Sequence, residues 1–273
     1  MQASGSWTPP TGVLGELVEA ASHRADLVRQ GASALQARLG TRHRGPSFAA
    51  ALRLGVDVRV IAEVKRRSPS QGDLAPSLDA GTQATAFAAG GAAAASILTE
   101  PTRFGGALDD LTRAGGAGIP LLRKDFIVDE IQLLEAAVHG ASAVLLIARA
   151  LPPARLEALH QAATALALDV LVEVHVAAEL DLVLAAGYPI VGVNNRNLET
   201  LVIDVTTGET LIPRIPADRI AIFESGVQTA DDVRRAARAG ADAVLVGTSL
   251  SRLGDVTAGV RALTGIARQA RGA

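Results

Sequence analysis

The sequence predicts an α/β protein built on a single (β/α)8 barrel. Eight short apolar segments alternate with alanine-rich helical segments from residue 58 onward. Most of the eight are continuous apolar runs, as expected for parallel strands that are buried on both faces. They recur at a regular spacing of about 20 to 36 residues, which makes them a repeat. The chain has 273 residues, of which 49% are apolar, so it is long enough to bury a large core.

The predicted strands follow one another along the chain as residues 58–64, 93–99, 119–125, 143–147, 170–174, 190–194, 219–225 and 243–247. Three of the helical segments end in glycine, a residue that commonly terminates a helix: Gly140, Gly187 and Gly240. An open doubly wound sheet would also accept alternating strands and helices, but no GxGxxG motif follows the first strand. The number and spacing of the units therefore favour the closed TIM barrel.

The segment before the first strand predicts a helical extension, so the chain divides into an extension over residues 1–50 and a barrel domain over residues 51–273. Residues 16–39 read as one or two extra helices with a single apolar stripe. The stripe consists of Leu17, Val18, Leu27, Val28, Leu35 and Leu39. Gly45, Pro46 and Ser47 mark the junction with the barrel.

Composition and charge exclude several classes of partner. A net charge of −2 argues against nucleic acid or an anionic membrane as the main partner. No apolar run approaches the roughly 18 residues of a membrane span, and the N-terminus lacks the pattern of a signal peptide. The chain has no cysteine, so it forms no disulfide. We therefore expect a cytoplasmic protein, a monomer by default, with neither nucleic acid nor membrane as a partner.

Polar side chains stand where most of the predicted strands end, which is where barrels of this kind carry their reactive groups. They are Glu63 and Lys65, Thr99 and Glu100, Lys124 and Asp125, Glu173, Asn194 and Arg196, and Glu224. Each of them alone is compatible with an edge charge that faces solvent. Lysines and carboxylates that meet at one mouth, however, shift one another's pKa values, which is typical of acid–base sites. The sequence thus predicts an enzyme with its site at the barrel mouth.

The last two strand ends predict a phosphate site. Ser225 and Gly226 follow the seventh strand, and Gly247 and Thr248 follow the eighth. Glycine at a strand end is often only a turn. Glycines and hydroxyls on adjacent strands, however, bring together backbone N–H groups where many barrels hold a phosphate.

Seven segments of the sequence resemble the indole-3-glycerol-phosphate synthases, in the same order and at similar spacing: IAEVKRRSPSQG, SILTE…RFGG, PLLRKDFIVDEIQL, LVEVH, GVNNRNLETL, ESGV and VLVGTSL. The resemblance covers residues 47 to 255. It implies the ring closure of 1-(2-carboxyphenylamino)-1-deoxyribulose 5-phosphate with loss of CO2 and water, in tryptophan biosynthesis. It also implies a phosphorylated small-molecule substrate, no metal and no organic cofactor, and an N-terminal helix that lies over the barrel mouth.

The resemblance also assigns roles to individual residues. Lys124 resembles the general acid that protonates the substrate ketone. Glu63, Lys65 and Glu173 resemble its partners in positioning and proton transfer, and which of them serves which step stays open. Asn194 resembles a contact to the substrate hydroxyls. The positions that hold the phosphate or shape the substrate pocket are Ser68, Pro69, Phe104, Phe126, Leu145, Arg196, Glu224, Ser225, Gly226, Gly247 and Thr248.

The sequence raises three further interpretations. His175 follows Glu173 and is either its orienting partner or an ordinary loop residue. A phosphoribosylanthranilate isomerase would share the fold and the phosphate-binding ends, but it needs a cysteine, and this chain has none. A non-catalytic barrel used as a binding module would be expected to lack the charges at the mouth, all of which are present here.

Overall fold

In the computed structural model, which describes residues 7–42 and 44–271, eight parallel strands form a closed barrel. The barrel strands are β1 (Arg59–Val64), β2 (Ala94–Leu98), β3 (Leu121–Lys124), β4 (Ala143–Ile147), β5 (Asp169–Val174), β6 (Ile190–Asn194), β7 (Ile220–Glu224) and β8 (Ala243–Val246). Each strand pairs with the next, and β8 closes the ring on β1 with Ile61 opposite Leu245. The predicted (β/α)8 barrel is confirmed.

The helices occupy the positions expected between and around the strands. They are α1 (Gly12–Arg29), α2 (Ala32–Leu39), α3 (Phe48–Arg53), α4 (Ala80–Gly90), α5 (Asp109–Ala114), α6 (Glu130–Val138), α7 (Pro153–Ala165), α8 (Ala177–Ala186), α9 (Thr206–Leu211), α10 (Ala230–Arg238) and α11 (Val256–Arg261). Short 3-10 turns cover Gly115–Ala117, Ala148–Ala150, Ile212–Arg214 and Leu250–Arg252. None of the helices within residues 7–42 and 44–271 is long and apolar enough to cross a membrane.

The predicted helix stops are confirmed by backbone conformation. Gly140, Gly187 and Gly240 all have a φ between 85° and 88°, in the left-handed region that glycine enters without strain. A two-stranded hairpin between β1 and α4 was not predicted. It pairs Arg67–Ser68 with Gly72–Asp73, and its loop residue Gln71 lines the cavity at the barrel mouth.

The N-terminal residues form two helices with different neighbours. Helix α1 buries Leu14, Leu17, Ala21 and Ala25, one side chain per turn. The expectation that Leu27 belongs to the buried stripe is wrong, because its side chain is 56% exposed.

Helix α2 packs against the side of the barrel rather than on the mouth. Its Leu35 and Leu39 contact an apolar cluster that contains Ile131 and Leu134 of α6. The division of the chain between residues 50 and 51 stays a prediction, and residues 1–6, 43 and 272–273 lie outside the described residues.

Helix α3 lies at the opposite end of the barrel from the site. The backbone N–H of Ala49 donates to Asp169, the first residue of β5, over 2.9 Å. Arg53 donates to the carbonyl of Asp218, just before β7. Phe48 and Leu52 are completely buried there and close the core where the strands begin.

Candidate functional site

A cavity of about 460 Å³ opens at the C-terminal ends of the strands. Side chains alternate between the two faces of a strand, so every second residue near a strand end reaches the cavity. Thirteen of the sixteen predicted site residues line it: Glu63, Lys65, Phe104, Lys124, Phe126, Leu145, Glu173, Asn194, Arg196, Ser225, Gly226, Gly247 and Thr248. The structure thus brings most of the predicted site together in one place.

Glu63 bridges two lysines on the cavity floor. Its Oε2 lies 3.0 Å from Nζ of Lys124, and its Oε1 lies 2.9 Å from Nζ of Lys65. Burial alone would raise the pKa of Glu63, but the charges of Lys124 and Lys65 outweigh it and lower this pKa to about 2. Burial likewise opposes the charge on Lys124, yet Glu63, Glu224 and Glu173 together raise the pKa of Lys124 above its usual range. The pair is therefore an ammonium and a carboxylate throughout the neutral range.

These two lysines are the only lysines in the sequence, and every other basic residue apart from the histidines is an arginine. An arginine stays charged under all conditions that proteins meet, whereas a lysine can give up its proton. The chain therefore carries its only side-chain ammonium groups at the barrel mouth.

Two further carboxylates stand next to Lys124, and their ionisation differs. Glu173 and Glu224 are each 1% exposed. Burial raises the pKa of Glu173, but His175, Lys124 and Asn194 outweigh burial and lower it to about 2. Burial and the neighbouring Glu173 raise the pKa of Glu224 well above its usual range. Of the two, Glu173 is therefore the one that ionises more readily.

Glu224 does not line the cavity, although the resemblance grouped it with the substrate-binding positions. Its Oε2 lies 3.9 Å from Nζ of Lys124, so its carboxyl group belongs to the acid–base cluster. Gly192 makes room for it, because a β-carbon on that glycine would lie 2.0 Å from Oε1 of Glu224.

Asn194 is held in one orientation by two donors. The hydroxyl of Ser225 donates to its Oδ1 over 2.8 Å, and the backbone N–H of Arg196 donates to the same oxygen over 3.0 Å. The carboxamide nitrogen is thereby identified as the end that donates toward the site. Ser225 itself has a φ of 64°, an uncommon conformation for a residue with a side chain.

The residues predicted to bind phosphate share one end of the cavity. Ser225 and Gly226 line it after β7, and Gly247 and Thr248 line it after β8. Gly226 has a φ of 82°, and a β-carbon there would lie 2.7 Å from Val205, so its backbone stays bare. The expected nest of N–H groups between two adjacent strand ends is thus possible, and its occupation by phosphate stays a prediction.

Sequence reasoning missed several residues that line this cavity. The polar ones are Gln71, Gln228, Thr229, Ser249 and Arg252. Gln71 belongs to the unpredicted hairpin loop, while Ser249 and Arg252 follow Thr248 directly in the same turn. The signal for the last two was their position one to four residues beyond a predicted phosphate-binding end.

Ser68 and Pro69 line a smaller cavity of about 50 Å³ next to the main one. This cavity is walled by Val13, Leu14 and Leu17 of α1. It shares several wall residues with the main cavity: Lys65, Phe104, Phe126, Arg196 and Leu198. The hydroxyl of Ser68 accepts a hydrogen bond from the backbone N–H of Gln71 over 3.2 Å. Its predicted contact with phosphate is not tested by this geometry.

Two strand-end carboxylates that the sequence placed at the mouth are held by the fold. Glu100 accepts from the backbone N–H groups of Arg103 and Phe104, over 2.7 and 3.1 Å, and so fixes the loop that carries Phe104. Asp125 accepts from the hydroxyl of Thr99 over 2.7 Å and from Arg24 of α1 over 2.9 Å. Both carboxylates are fully engaged by these partners and lie outside the acid–base cluster.

Comparison with known proteins gives one consistent result. The sequence model of the family described as Indole-3-glycerol phosphate synthase matches residues 16–263. The chain is 52% identical to the indole-3-glycerol phosphate synthase of a Nocardioides species, over 76% of this chain and 80% of the relative. It is 46% identical to indole-3-glycerol phosphate synthase 1 of Streptomyces coelicolor, over 87% of this chain and 89% of the relative.

The solved structure of thiamine phosphate pyrophosphorylase from Pyrococcus furiosus shares the fold at 14% identity. The TM-score is 0.56, and the match covers 76% of this chain and 93% of that chain.

Proposed function

The chain belongs to the indole-3-glycerol phosphate synthase family, and we propose that its reaction takes place at the lysine–glutamate cluster of the barrel mouth. The protein is a carboxy-lyase of tryptophan biosynthesis that acts on a phosphorylated small molecule. It converts 1-(2-carboxyphenylamino)-1-deoxyribulose 5-phosphate to indole-3-glycerol phosphate, CO2 and water.

One observation carries the assignment of the acid. Lys124 has a charged Nζ that lies 3.0 Å from Glu63 on the cavity floor, where three carboxyl groups surround it. The aromatic ring carbon attacks the ketone carbon, a C–C bond forms, and the ketone oxygen gains negative charge. Lys124 donates its proton to that oxygen. A high pKa does not prevent this step, because a forming alkoxide is more basic than an amine.

The remaining steps need proton transfers that the neighbouring residues can supply. CO2 leaves with its bond electrons left in the ring, which becomes aromatic again. Water is then eliminated as a proton leaves the carbon beside the nitrogen and the hydroxyl departs with a proton. Glu173, an ionised carboxylate in the cavity wall, is suited to accept the first of these protons. Lys65, held 2.9 Å from Glu63, is a suitable donor of the second.

The shape of the cavity suggests how the substrate lies. Glycines and hydroxyls after β7 and β8 suit the phosphate. Phe104 and Phe126, whose ring centres are 6.3 Å apart, stand with Leu145 on the apolar side and suit the aromatic ring of the substrate. Arg196 stands beside these rings, where a cation can meet the substrate carboxylate.

We propose further that the protein works as a monomer in the cytoplasm, with residues 1–50 as an extension of the barrel domain. A near-neutral charge and the absence of cysteine support the compartment. All members of the acid–base cluster come from this one chain, which supports a site that needs no second copy.

The test is turnover, followed by the fluorescence of the indole that forms. Lys124→Met keeps most of the side-chain volume and removes the proton, so kcat should fall about 10²- to 10⁴-fold, with little change in stability. Lys124→Arg should not restore activity, because a guanidinium hardly gives up its proton. Lys65→Met is the matched control. In this variant CO2 should be released faster than the indole product forms, because only the dehydration step loses its proton donor.

A Lys124→Met protein that retained more than about a tenth of kcat would have lost less than about 1.4 kcal/mol of transition-state stabilisation. That outcome would reject Lys124 and make Lys65 the better candidate for the acid.

A further inference from the structure

His175, just beyond β5, has both ring nitrogens directed at carboxylates. Its Nε2 lies 3.2 Å from Oε1 of Glu173, and its Nδ1 lies 3.5 Å from Oε2 of Glu179. The contacts are those of an ion pair rather than of aligned hydrogen bonds. A neutral imidazole has one N–H group and one bare nitrogen, whose lone pair would repel the carboxylate in front of it. The imidazolium has two N–H groups and suits both neighbours.

Glu179 is fixed in place behind the histidine. It is the third residue of α8, and its Oε2 accepts the backbone N–H of His175 over 2.7 Å. A carboxylate in the first turn of a helix is stabilised by the helix dipole and by the backbone N–H that it binds. The imidazole ring therefore lies between Glu179, which has a structural role, and Glu173, which belongs to the site. Burial lowers the pKa of His175, but the two carboxylates outweigh it and raise this pKa to about 10.

Glu224 is the close neighbour of Glu173 and lacks such a partner. Glu173 of β5 is in register with Gly192 of β6, and the carboxyl group of Glu224 occupies the space next to that glycine. Among the residues that the structure describes, Lys124 is the only cation within 4 Å of Glu224, at 3.9 Å. Neither carboxyl oxygen of Glu224 accepts a hydrogen bond from a donor group in this part of the chain. Two buried carboxyl groups this close keep one proton between them.

We propose that His175, backed by Glu179, is a positioning residue that keeps Glu173 ionised and aimed at the cavity, so that the shared proton stays on Glu224. The inference rests on the proposed function, since it prepares Glu173 to accept a proton during catalysis. The groups that face the pair come from several elements: Lys124 of β3, Asn194 of β6, Glu63 of β1, and His175 and Glu179 after β5. Of the charged groups among them, His175 is the one that lies within 4 Å of Glu173, and it forms no ion pair with Glu224.

The first test is the pH dependence of kcat in His175→Gln, with His160→Gln as the matched control. His160 is a partly buried histidine that stacks on Tyr188, with 4.7 Å between the ring centres, outside the cavity. Loss of the ion pair should raise the acidic limb of the His175→Gln profile by about one to three pH units, while KM stays the same. His175→Arg keeps a positive charge and should hold the limb near its original place. Glu179→Gln should move the limb in the same direction by less.

The second test measures the proton without turnover, by the infrared C=O band of a protonated carboxyl group at pH 7. Glu224→Gln should remove this band. In the double variant His175→Gln/Glu224→Gln, part of this band should remain, because Glu173 is then partly protonated.

Coincident pH profiles of the wild type, His175→Gln and His160→Gln would overturn the proposal. So would persistence of the band in Glu224→Gln protein. A wild-type protein with no turnover of the anilino-deoxyribulose phosphate would instead reject the proposed function, and the infrared bands would still decide the role of His175.

Discussion

Gly247 leaves the Glu63–Lys65 ion pair the space that a side chain would fill. A β-carbon at this position would lie 2.4 Å from Oε1 of Glu63 and 3.0 Å from Nζ of Lys65. The glycine that the sequence associated with phosphate binding therefore also borders the acid–base cluster. A substitution at this position acts on both.

Gly247→Ala should accordingly lower kcat and raise KM together. Displacement of a reacting group by about 1 Å can cost on the order of 100-fold in rate. The matched control is Gly254→Ala, seven positions along the chain, where a β-carbon would meet nothing within 4 Å. Steady-state kinetics on both variants check the expectation, and equal kinetics for Gly247→Ala and the wild type would contradict it.

The role of Glu224 shows what residue-level sequence reasoning misses. The ESG segment identified it as a polar strand end, and the alternation of side chains pointed it inward. Its position 3.9 Å from Lys124 depends on Gly192 of the adjacent strand, which leaves it room. This space beside a glycine of the neighbouring strand follows from the closure and register of the barrel. No local pattern in the sequence predicts it.

Helix α1 is tied to the barrel mouth by ion pairs as well as by its buried stripe. Arg24 donates to Asp125 over 2.9 Å and lies 3.6 Å from Glu100. Glu16 pairs with Arg103 over 2.6 Å, in the loop that carries Phe104. The helix thus contacts residues that hold the cavity wall in place. We expect its loss to disturb the site more than the rest of the fold.

Deletion of residues 1–45 should impair substrate binding, measured as KM, more than it impairs folding, because α3 and its Ser47 cap stay in place.

A finer test is Arg24→Met, which leaves the two buried carboxylates Glu100 and Asp125 without this partner. KM should rise about tenfold, the equivalent of about 1.4 kcal/mol, with kcat less affected. Arg38→Met on the exposed face of α2 is the control. Unchanged KM in the deleted protein would show that the extension is not part of the site.

At the level of elements, the sequence predicted strands better than short polar segments. The strand limits differ from prediction by at most two residues at either end, because apolar β-branched runs end where the barrel ends. The hairpin of Arg67–Ser68 and Gly72–Asp73 was missed, since it has two residues per strand and no apolar face. An ion pair of 2.6 Å between Arg67 and Asp73 joins its two strands.

The charged cluster makes the stability of the whole molecule depend on pH in two directions. The pKa of Glu63 and that of Glu173 fall from 4.5 to about 2 on folding. Their contribution is present above pH 4.5 and is lost as the pH falls toward 2. The pKa of Glu224 is raised, so its contribution is present below 4.5 and declines as the pH rises. The pKa of His175 rises from 6.5 to about 10, so its contribution is complete below 6.5 and is lost by about 10.

The free energy of unfolding should therefore be highest between about pH 4.5 and 6.5. Denaturant unfolding at a series of pH values measures it. Glu63→Gln should reduce the loss of stability below pH 4.5, whereas Glu19→Gln, an exposed glutamate on α1, should leave the curve unchanged. A Glu63→Gln curve that is parallel to the wild-type curve in acid would rule out this origin of the pH dependence.

The confinement of both lysines to the barrel mouth gives the protein an unusual response to amine-selective reagents. Besides the α-amino group, an acylating reagent finds only Lys65 and Lys124 to modify, each less than a fifth exposed and paired with Glu63. Acylation of either side chain would report directly on access to the cavity floor, and bound substrate would block it.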